Sequence, residues 1–204
     1  MAHLRPFYLL ALVCAAALAM GACSSQPDVA SLSTFTEGGV NMVVEIPAGT
    51  NLKIEYDKDR ETFAPDQLNG RDRMVTFLPY PGNYGFIPAT LMDEGQGGDG
   101  DPLDVLVLSS SQPTGTILEV KPIGMIRLRD AGDLDTKIIA VPLDPAQRAI
   151  DVETYRDFMI GYDGARRIVE EWFLNYKGLG TTQLLGWDDE AGAMAEIERW
   201  ASPN

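Results

Sequence analysis

Residues 97–110 read GGDGDPLDVLVLSS and set Asp99, Asp101 and Asp104 within six positions, directly before an apolar run at 105–108. Two like charges about 4 Å apart repel by roughly 4 kcal/mol at an effective dielectric of about 20, so three clustered carboxylates need a cation or open water. Period-two geometry puts Asp99 and Asp101 on similar sides, and Pro102 bends the chain so that Asp104 returns toward them. The apolar run sets the acids at the mouth of a buried strand, where a hard divalent cation would relieve the repulsion. An acidic turn exposed to water is the simpler alternative.

A second acidic set, Asp130, Asp133 and Asp135, occupies a Gly-containing turn between two strand-like runs, and Lys137 begins the second run. Alone it is a common hairpin loop. Together the two sets supply enough carboxylates for two bridged oxygen-ligand metal sites. In NLKIEY, strand alternation puts Leu52, Ile54 and Tyr56 on one face and Lys53 with Glu55 on the other. Glu45 lies likewise among Val43, Val44 and Ile46, and a solvated strand face would account equally well for these charges. TFLPYPGNYGFIP adds Tyr80 and Tyr84 in a loop shaped by Pro and Gly, where hydroxyl donors can be aimed inward. WFLNYKGLG adds Tyr176 and Lys177 at a helix end, where Lys177 alternatively only offsets the helix dipole.

The whole chain narrows this chemistry. Its 204 residues are 45% hydrophobic, which suits one ordinary globular domain. The formal charge of −14, from 16 basic and 30 acidic residues, disfavours nucleic acid and anionic lipid surfaces and suits metal cations. His3, Cys14 and Cys23 are the only histidine and cysteines, and all precede residue 24. Past that point there is no histidine base, no thiol nucleophile, no disulfide and no soft ligand for zinc or copper. Carboxylates, amines, guanidinium, hydroxyls and hard metals remain.

The elements that must position these groups differ along the chain. A short basic start, an apolar run at 7–20 and Gly21-Ala22-Cys23-Ser24-Ser25 make a secretion signal too short to span a bilayer as a helix. The small residues before Cys23 resemble a bacterial lipoprotein cleavage site, with Cys23 lipidated. By the same resemblance Ser24 and Ser25 favour the outer membrane. The expected division is a signal peptide at 1–22, a lipidated cysteine and tether at 23–38, and one domain at 39–204. Within it, β-rich runs fall at 41–46, 52–57, 75–78, 105–108, 117–120, 124–128 and 137–141, which suggests a barrel or strongly curved sheet. Helical patterns follow at 151–160, 164–177 and 188–200, so the class is α+β. Ile168, Trp172, Phe173, Leu174 and Trp200 are assigned to the core.

VVEIPAG, LKIEY, YPGNYGFIP, DGDPLDVLVL, the segment from PIGMIRLRD through DTKIIAVP, and NYKGL occur in the order found in the soluble family I inorganic pyrophosphatases, which the chain resembles over roughly residues 40 to 200. The resemblance implies a five-stranded OB-like β-barrel with flanking C-terminal helices, and magnesium-dependent hydrolysis of pyrophosphate to two phosphates. It implies several Mg2+ ions per site, with Mn2+ as a substitute, and a homo-oligomer, a hexamer in bacteria. By the same resemblance Asp99, Asp104 and Asp135 match the main magnesium ligands, Asp130 joins Asp135 at a further ion, and Glu45 supports an outer one. Asp101 matches the proton acceptor. Lys53, Arg73, Tyr84, Tyr176 and Lys177 match contacts to substrate phosphate, Glu55 and Lys137 match charged groups lining the cavity, and Tyr80 falls in the matching loop. The spacing from Arg73 to Tyr80 is one residue shorter than the commoner family pattern, which leaves Arg71 as an alternative to Arg73.

The implied product is an exported pyrophosphatase, lipid-anchored on the periplasmic side of a bacterial membrane, with pyrophosphate as substrate and no nucleic acid partner. A noncatalytic calcium-binding lipoprotein is the competing reading, since DEGQGGDGDPLD also offers an oxygen-rich loop. A calcium loop does not call for Lys53, Arg73, Tyr84, Tyr176 and Lys177 in matching segments. A structural lipoprotein with a degenerate site is the third reading, and the intact acidic motif weighs against it.

Overall fold

The computed structural model describes residues 28–202. The expected signal peptide and Cys23 lie outside the described residues. Inside them, eleven strands and three α-helices follow one another as an α+β chain. β1 (Val40–Ile46), β2 (Ile54–Asp57), β3 (Thr62–Pro65), β4 (Gln67–Leu68), β5 (Arg71–Asp72), β6 (Asn83–Phe86), β7 (Asp104–Val107), β8 (Ile117–Asp130), β9 (Asp133–Leu134) and β10 (Lys137–Pro142) come first. α1 (Tyr155–Gly161), α2 (Asp163–Asn175), β11 (Thr182–Asp188) and α3 (Glu190–Trp200) complete the fold.

The main sheet is mixed. β1 pairs antiparallel with β6, β6 with β7, β10 with β8, and β8 with β1, while β7 and β10 run parallel. β8 is long enough to serve four partners, β1 at its start, β10 along its middle, and β11 and the short β9 at its far end. Every residue of β10 is buried, and so are Val105, Leu106 and Val107 of β7. Strands covered on both faces need continuous apolar runs rather than alternation, and IIAV and VLVL supply them. One face packs with Val40, Met42 and Val44 against Ala193, Ile197 and Trp200 of α3. The other packs Leu106, Ile126 and Ile139 against Phe158 of α1 and Val169, Trp172 and Phe173 of α2.

Local chemistry sets the boundaries. Thr154 caps α1 by accepting from the Asp157 N–H, and Asp157 returns the bond to the Thr154 N–H, so the helix starts at Tyr155 rather than at 151. Asp189 caps α3 by accepting from the Gly192 N–H, and Asp188, expected to open that helix, ends β11. The runs at 117–120 and 124–128 are one strand, since β8 passes Pro122 with only a register shift in its pairing to β10. Residues 75–78 are not a strand: the segment bends toward Pro79 and Pro81 and leaves Phe77 and Leu78 exposed. Part of the expected Tyr80–Tyr84 loop is strand β6. Gly85 is required there, because a Cβ would lie 1.9 Å from the Val43 carbonyl oxygen of β1. Ile168, expected in the core, is 62% exposed, because Val169, Trp172 and Phe173 define the buried stripe and Ile168 stands one residue off it.

Of the segment expected as a tether, residues 28–38 are described and pack on the sheet. Val29 contacts the patch of Val43 and Phe86, and the buried Thr34 hydroxyl donates to the Pro88 carbonyl at 2.9 Å.

Candidate active site

A cavity of about 240 Å³ opens at the mouth of β7 and β10. It is smaller than the roughly 300–1,000 Å³ typical of drug-sized ligands, so it suits a small polar guest. Glu45, Lys53, Glu55, Arg73, Tyr80, Tyr84, Asp99, Asp101, Asp104, Asp135, Lys137, Tyr176 and Lys177 all line it. Those residues span 133 positions of sequence, from 45 to 177, and the fold gathers them in one place.

The first acids ride on a pinned loop. Gly100 sits between Asp99 and Asp101 with φ +84°, a left-handed conformation that glycine adopts without strain. The Asp101 N–H donates to the Asp99 carboxylate at 3.1 Å, and the Asp101 carbonyl accepts from the Met92 N–H at 2.8 Å. Leu103 is fully buried, and its N–H donates to the Thr90 hydroxyl at 2.9 Å, so the loop enters β7 with Asp104 fixed at the strand's first position. Burial first, and the nearby Asp104 charge, push the Asp99 carboxyl up.

Parallel pairing sets Lys137 of β10 opposite Asp104 of β7. The buried Lys137 ammonium bonds both Asp104 and Asp135. Burial alone would lower the lysine, but the two carboxylates hold it well above its usual range. Burial raises Asp135, and the attraction of Lys137 more than reverses it, leaving its carboxyl below the usual range. Lys177 pairs with Asp130 and stands 4.0 Å from Asp135. Asp130, at the end of β8, is not in the cavity wall and reaches it through that pair. Tyr84 lies under the Lys137 ammonium at 5.8 Å and Tyr176 under Lys177 at 5.5 Å.

Backbone bonds bring the opposite wall together. The Lys53 N–H donates to the Arg73 carbonyl at 2.9 Å, the Asp66 N–H to the Lys53 carbonyl at 2.9 Å, and the Arg73 N–H to the Asp66 carbonyl at 2.7 Å. Lys53, Asp66 and Arg73 therefore form one backbone triangle, and the Arg73 guanidinium donates to Asp66 at 2.9 Å. Arg71 sits on the exposed β4–β5 hairpin and is not in the cavity wall, so of the two arginines Arg73 is the one at the site. Lys53 also pairs with Glu55. Glu45 accepts from the Tyr56 N–H at 2.8 Å, yet burial first, then the Asp104 and Glu55 charges, push its carboxyl up to about 8.

A cavity in which carboxylates interleave with lysine, arginine and phenol donors suits a phosphate-bearing guest. Residues 42–203 match the family model described as inorganic pyrophosphatase. The chain belongs to the inorganic pyrophosphatase family. A relative in this family, the inorganic pyrophosphatase of Synechocystis sp., is 39% identical over 168 residues, covering 79% of this chain and 89% of its own. The type I inorganic pyrophosphatase of Toxoplasma gondii superposes with a TM-score of 0.75 at 28% identity, covering 83% of each chain. A truncated vacuolar soluble pyrophosphatase of Trypanosoma cruzi, solved in complex with PPi, gives 0.72 at 25% identity and covers 83% of this chain and 70% of its own.

Magnesium dependence is general among family I inorganic pyrophosphatases. The donor set here fits such an ion: the described residues contain no histidine or cysteine, and the cavity offers hard carboxylate oxygens. Among the described residues no three acids are drawn tightly enough together to form a finished metal cluster. The lysine ammoniums instead occupy the points toward which pairs of carboxylates converge, and a divalent cation would share that field.

Two further charged groups have no counterpart in the sequence reading, Asp66 behind the cavity wall and Lys58 on it. Asp66 bonds Arg73 and lies 3.7 Å from Lys53, holding both cations in place. Lys58, on the exposed turn after β2, lines the rim. DQLNGRDR carries the signal of an ordinary Asn-Gly hairpin, and nothing local in it marks Asp66.

Proposed function

We propose that the chain hydrolyses inorganic pyrophosphate to two phosphates in this cavity, with magnesium held by Asp99, Asp104 and Asp135, a further ion at Asp130 and Asp135, and an outer one supported by Glu45. As a member of the inorganic pyrophosphatase family it is an enzyme acting on pyrophosphate. The observation that carries the site assignment is the convergence, on one small cavity, of the acidic loop with Lys53, Arg73, Tyr84, Tyr176 and Lys177. When bound, the metal neutralises phosphate charge and makes an attacking water more acidic.

The chain's own groups carry the remaining work. Lys53, Arg73, Tyr84, Tyr176 and Lys177 donate to phosphate oxygens and stabilise charge growing on the leaving phosphate. Burial raises the Tyr84 and Tyr176 phenols, so both remain protonated donors at neutral pH. Asp101 is exposed to the cavity and paired with no lysine or arginine among the described residues, which leaves it open to accept the water proton.

The closed pairing circuit β1–β6–β7–β10–β8–β1 supports reading the sheet as a five-stranded OB-like barrel. The apolar run at 7–20 and the small residues before Cys23 support export and lipid anchoring on the periplasmic side of a bacterial membrane, the outer one favoured. No helix among the described residues is long and apolar enough to cross a membrane. A homo-oligomer follows from the family resemblance.

Phosphate release from pyrophosphate by purified residues 24–204 tests the reading. Rapid release with magnesium, lost with chelator, is expected. Calcium binding without release under any metal would overturn it.

A further inference from the structure

We propose that Trp172 is a positioning residue for phosphate recognition, holding Tyr176 and the segment from Arg73 to Tyr80 in one register. The inference rests on the reading of Arg73 and Tyr176 as phosphate contacts.

Trp172 lies one helical turn before Tyr176 on α2, so the two side chains share a face. Their rings stack with centroids 4.5 Å apart and planes within 10°. Tyr176 is the C-cap of α2, and Gly178 and Gly180 follow with φ +113° and +78°. A last turn is where helices fray, and the indole plane gives the tyrosine a fixed surface there.

The same indole reaches the other wall. Its Nε1–H donates to the Leu78 carbonyl at 2.9 Å, across 94 positions of sequence. Residues 76–79 form no strand, and the Phe77 and Leu78 side chains are exposed, so side-chain packing does not hold this stretch. Among the described residues, the bond from Trp172 is the one hydrogen bond made to the backbone of 76–79. Val75 and Tyr80, on either side, are bonded to Asn51 and Thr50. Tyr80 also packs on the indole at a centroid distance of 4.4 Å and on Tyr84 at 5.2 Å. One side chain thus touches the helix end bearing Tyr176 and Lys177 and the bend linking Arg73 to Tyr80. Its one side-chain hydrogen bond goes to that bend and not to any of the acids.

Trp172→Phe keeps an aromatic ring and removes the N–H, and Trp172→Tyr preserves more of the ring area. Both are assayed on the full chain for pyrophosphate hydrolysis, magnesium requirement and thermal midpoint. The expected result is a threefold to tenfold loss in kcat/KM, on the scale of about one hydrogen bond, expressed mainly in KM, with half-saturating magnesium within about twofold of the parent. Combined with Arg73→Lys, the loss is less than additive, and combined with Asp101→Asn it is additive. Parental kinetics in both variants, with or without a lower midpoint, would reduce Trp172 to core packing. A magnesium requirement rising in step with KM would also overturn the proposal, since it marks general loosening of the site. If the parent protein releases no phosphate from pyrophosphate, the functional reading falls first and this inference falls with it.

Discussion

Lys137 and Asp104 face each other across the parallel pair of β10 and β7, and the lysine, 3% exposed, bonds that carboxylate and Asp135 together. Ion pairs this deep recover their desolvation cost only when each charge is matched. With both acids on one ammonium, the site carries its own counter-cation. The buried lysine and the acidic loop are therefore one electrostatic unit, not separate parts of a binding wall.

Removing that cation should expose the repulsion. Lys137→Met is expected to destabilise the metal-free protein by about 3–5 kcal/mol, the usual effect of stranding a buried charge. Magnesium should restore part of the loss. Urea unfolding with chelator and with magnesium measures both, and equal stability of parent and variant in chelator would show the acids to be hydrated rather than paired.

Glu45 sets a pH dependence of stability in the metal-free state. Its carboxyl is raised from 4.5 to about 8, chiefly by burial. Between these values the folded chain keeps a proton that the unfolded chain has lost, so stability is fully present below 4.5 and declines as pH rises through about 8. Glu45→Gln should flatten that decline. Thermal midpoints in chelator from pH 4 to pH 9 check it, and a slope unchanged in the variant would assign the effect to another group.

The two arginines give a sharp contrast. Arg73 is at the cavity, tied to Asp66 and to the Lys53 backbone, whereas Arg71 lies on an exposed hairpin. Arg73→Ala should lower kcat/KM by about tenfold to a thousandfold, as for loss of one oxyanion donor, and Arg71→Ala by less than about twofold. Steady-state kinetics of the pair would reverse the assignment if Arg71→Ala were the impaired one.

What could be seen in the sequence was local. Asp99, Asp101 and Asp104 crowd one short loop, and the doubly buried β7 and β10 announce themselves as unbroken apolar runs. Parts of the site made by distant pairing left no such mark. Asp66 is placed by backbone bonds to Lys53 and Arg73, and its own neighbours look like a surface turn. β11 was missed because Gln183, Leu184 and Leu185 are all exposed and show no alternation, while its pairing with β8 is supplied by the backbone. Trp172 fits a helical core stripe, and the pattern does not reveal where its N–H points.

The proposed anchor at Cys23 would be separable from the chemistry. Cys23→Ala should abolish incorporation of labelled palmitate and leave pyrophosphate hydrolysis unchanged, since Cys23 precedes the residues that build the cavity. Labelling of the variant at the parent level would remove the lipoprotein reading.

Asp101 and Asp104 differ by three positions and should fail differently. Asp101 is exposed at the cavity and follows the left-handed Gly100, whereas Asp104 begins β7 and is bonded to Lys137. If Asp101 accepts the water proton, Asp101→Asn keeps the fold and most magnesium affinity, while its amide cannot take the proton. Turnover should fall by about 10² to 10⁴, the range for a positioned general base. Higher pH should recover part of that rate, because bulk hydroxide can substitute for the missing base. Asp104→Asn should instead raise the magnesium concentration needed for half-maximal rate and weaken the hold on Lys137. Rates measured across pH and magnesium for both variants separate the roles, and near-parental turnover of Asp101→Asn at neutral pH would refute the base assignment.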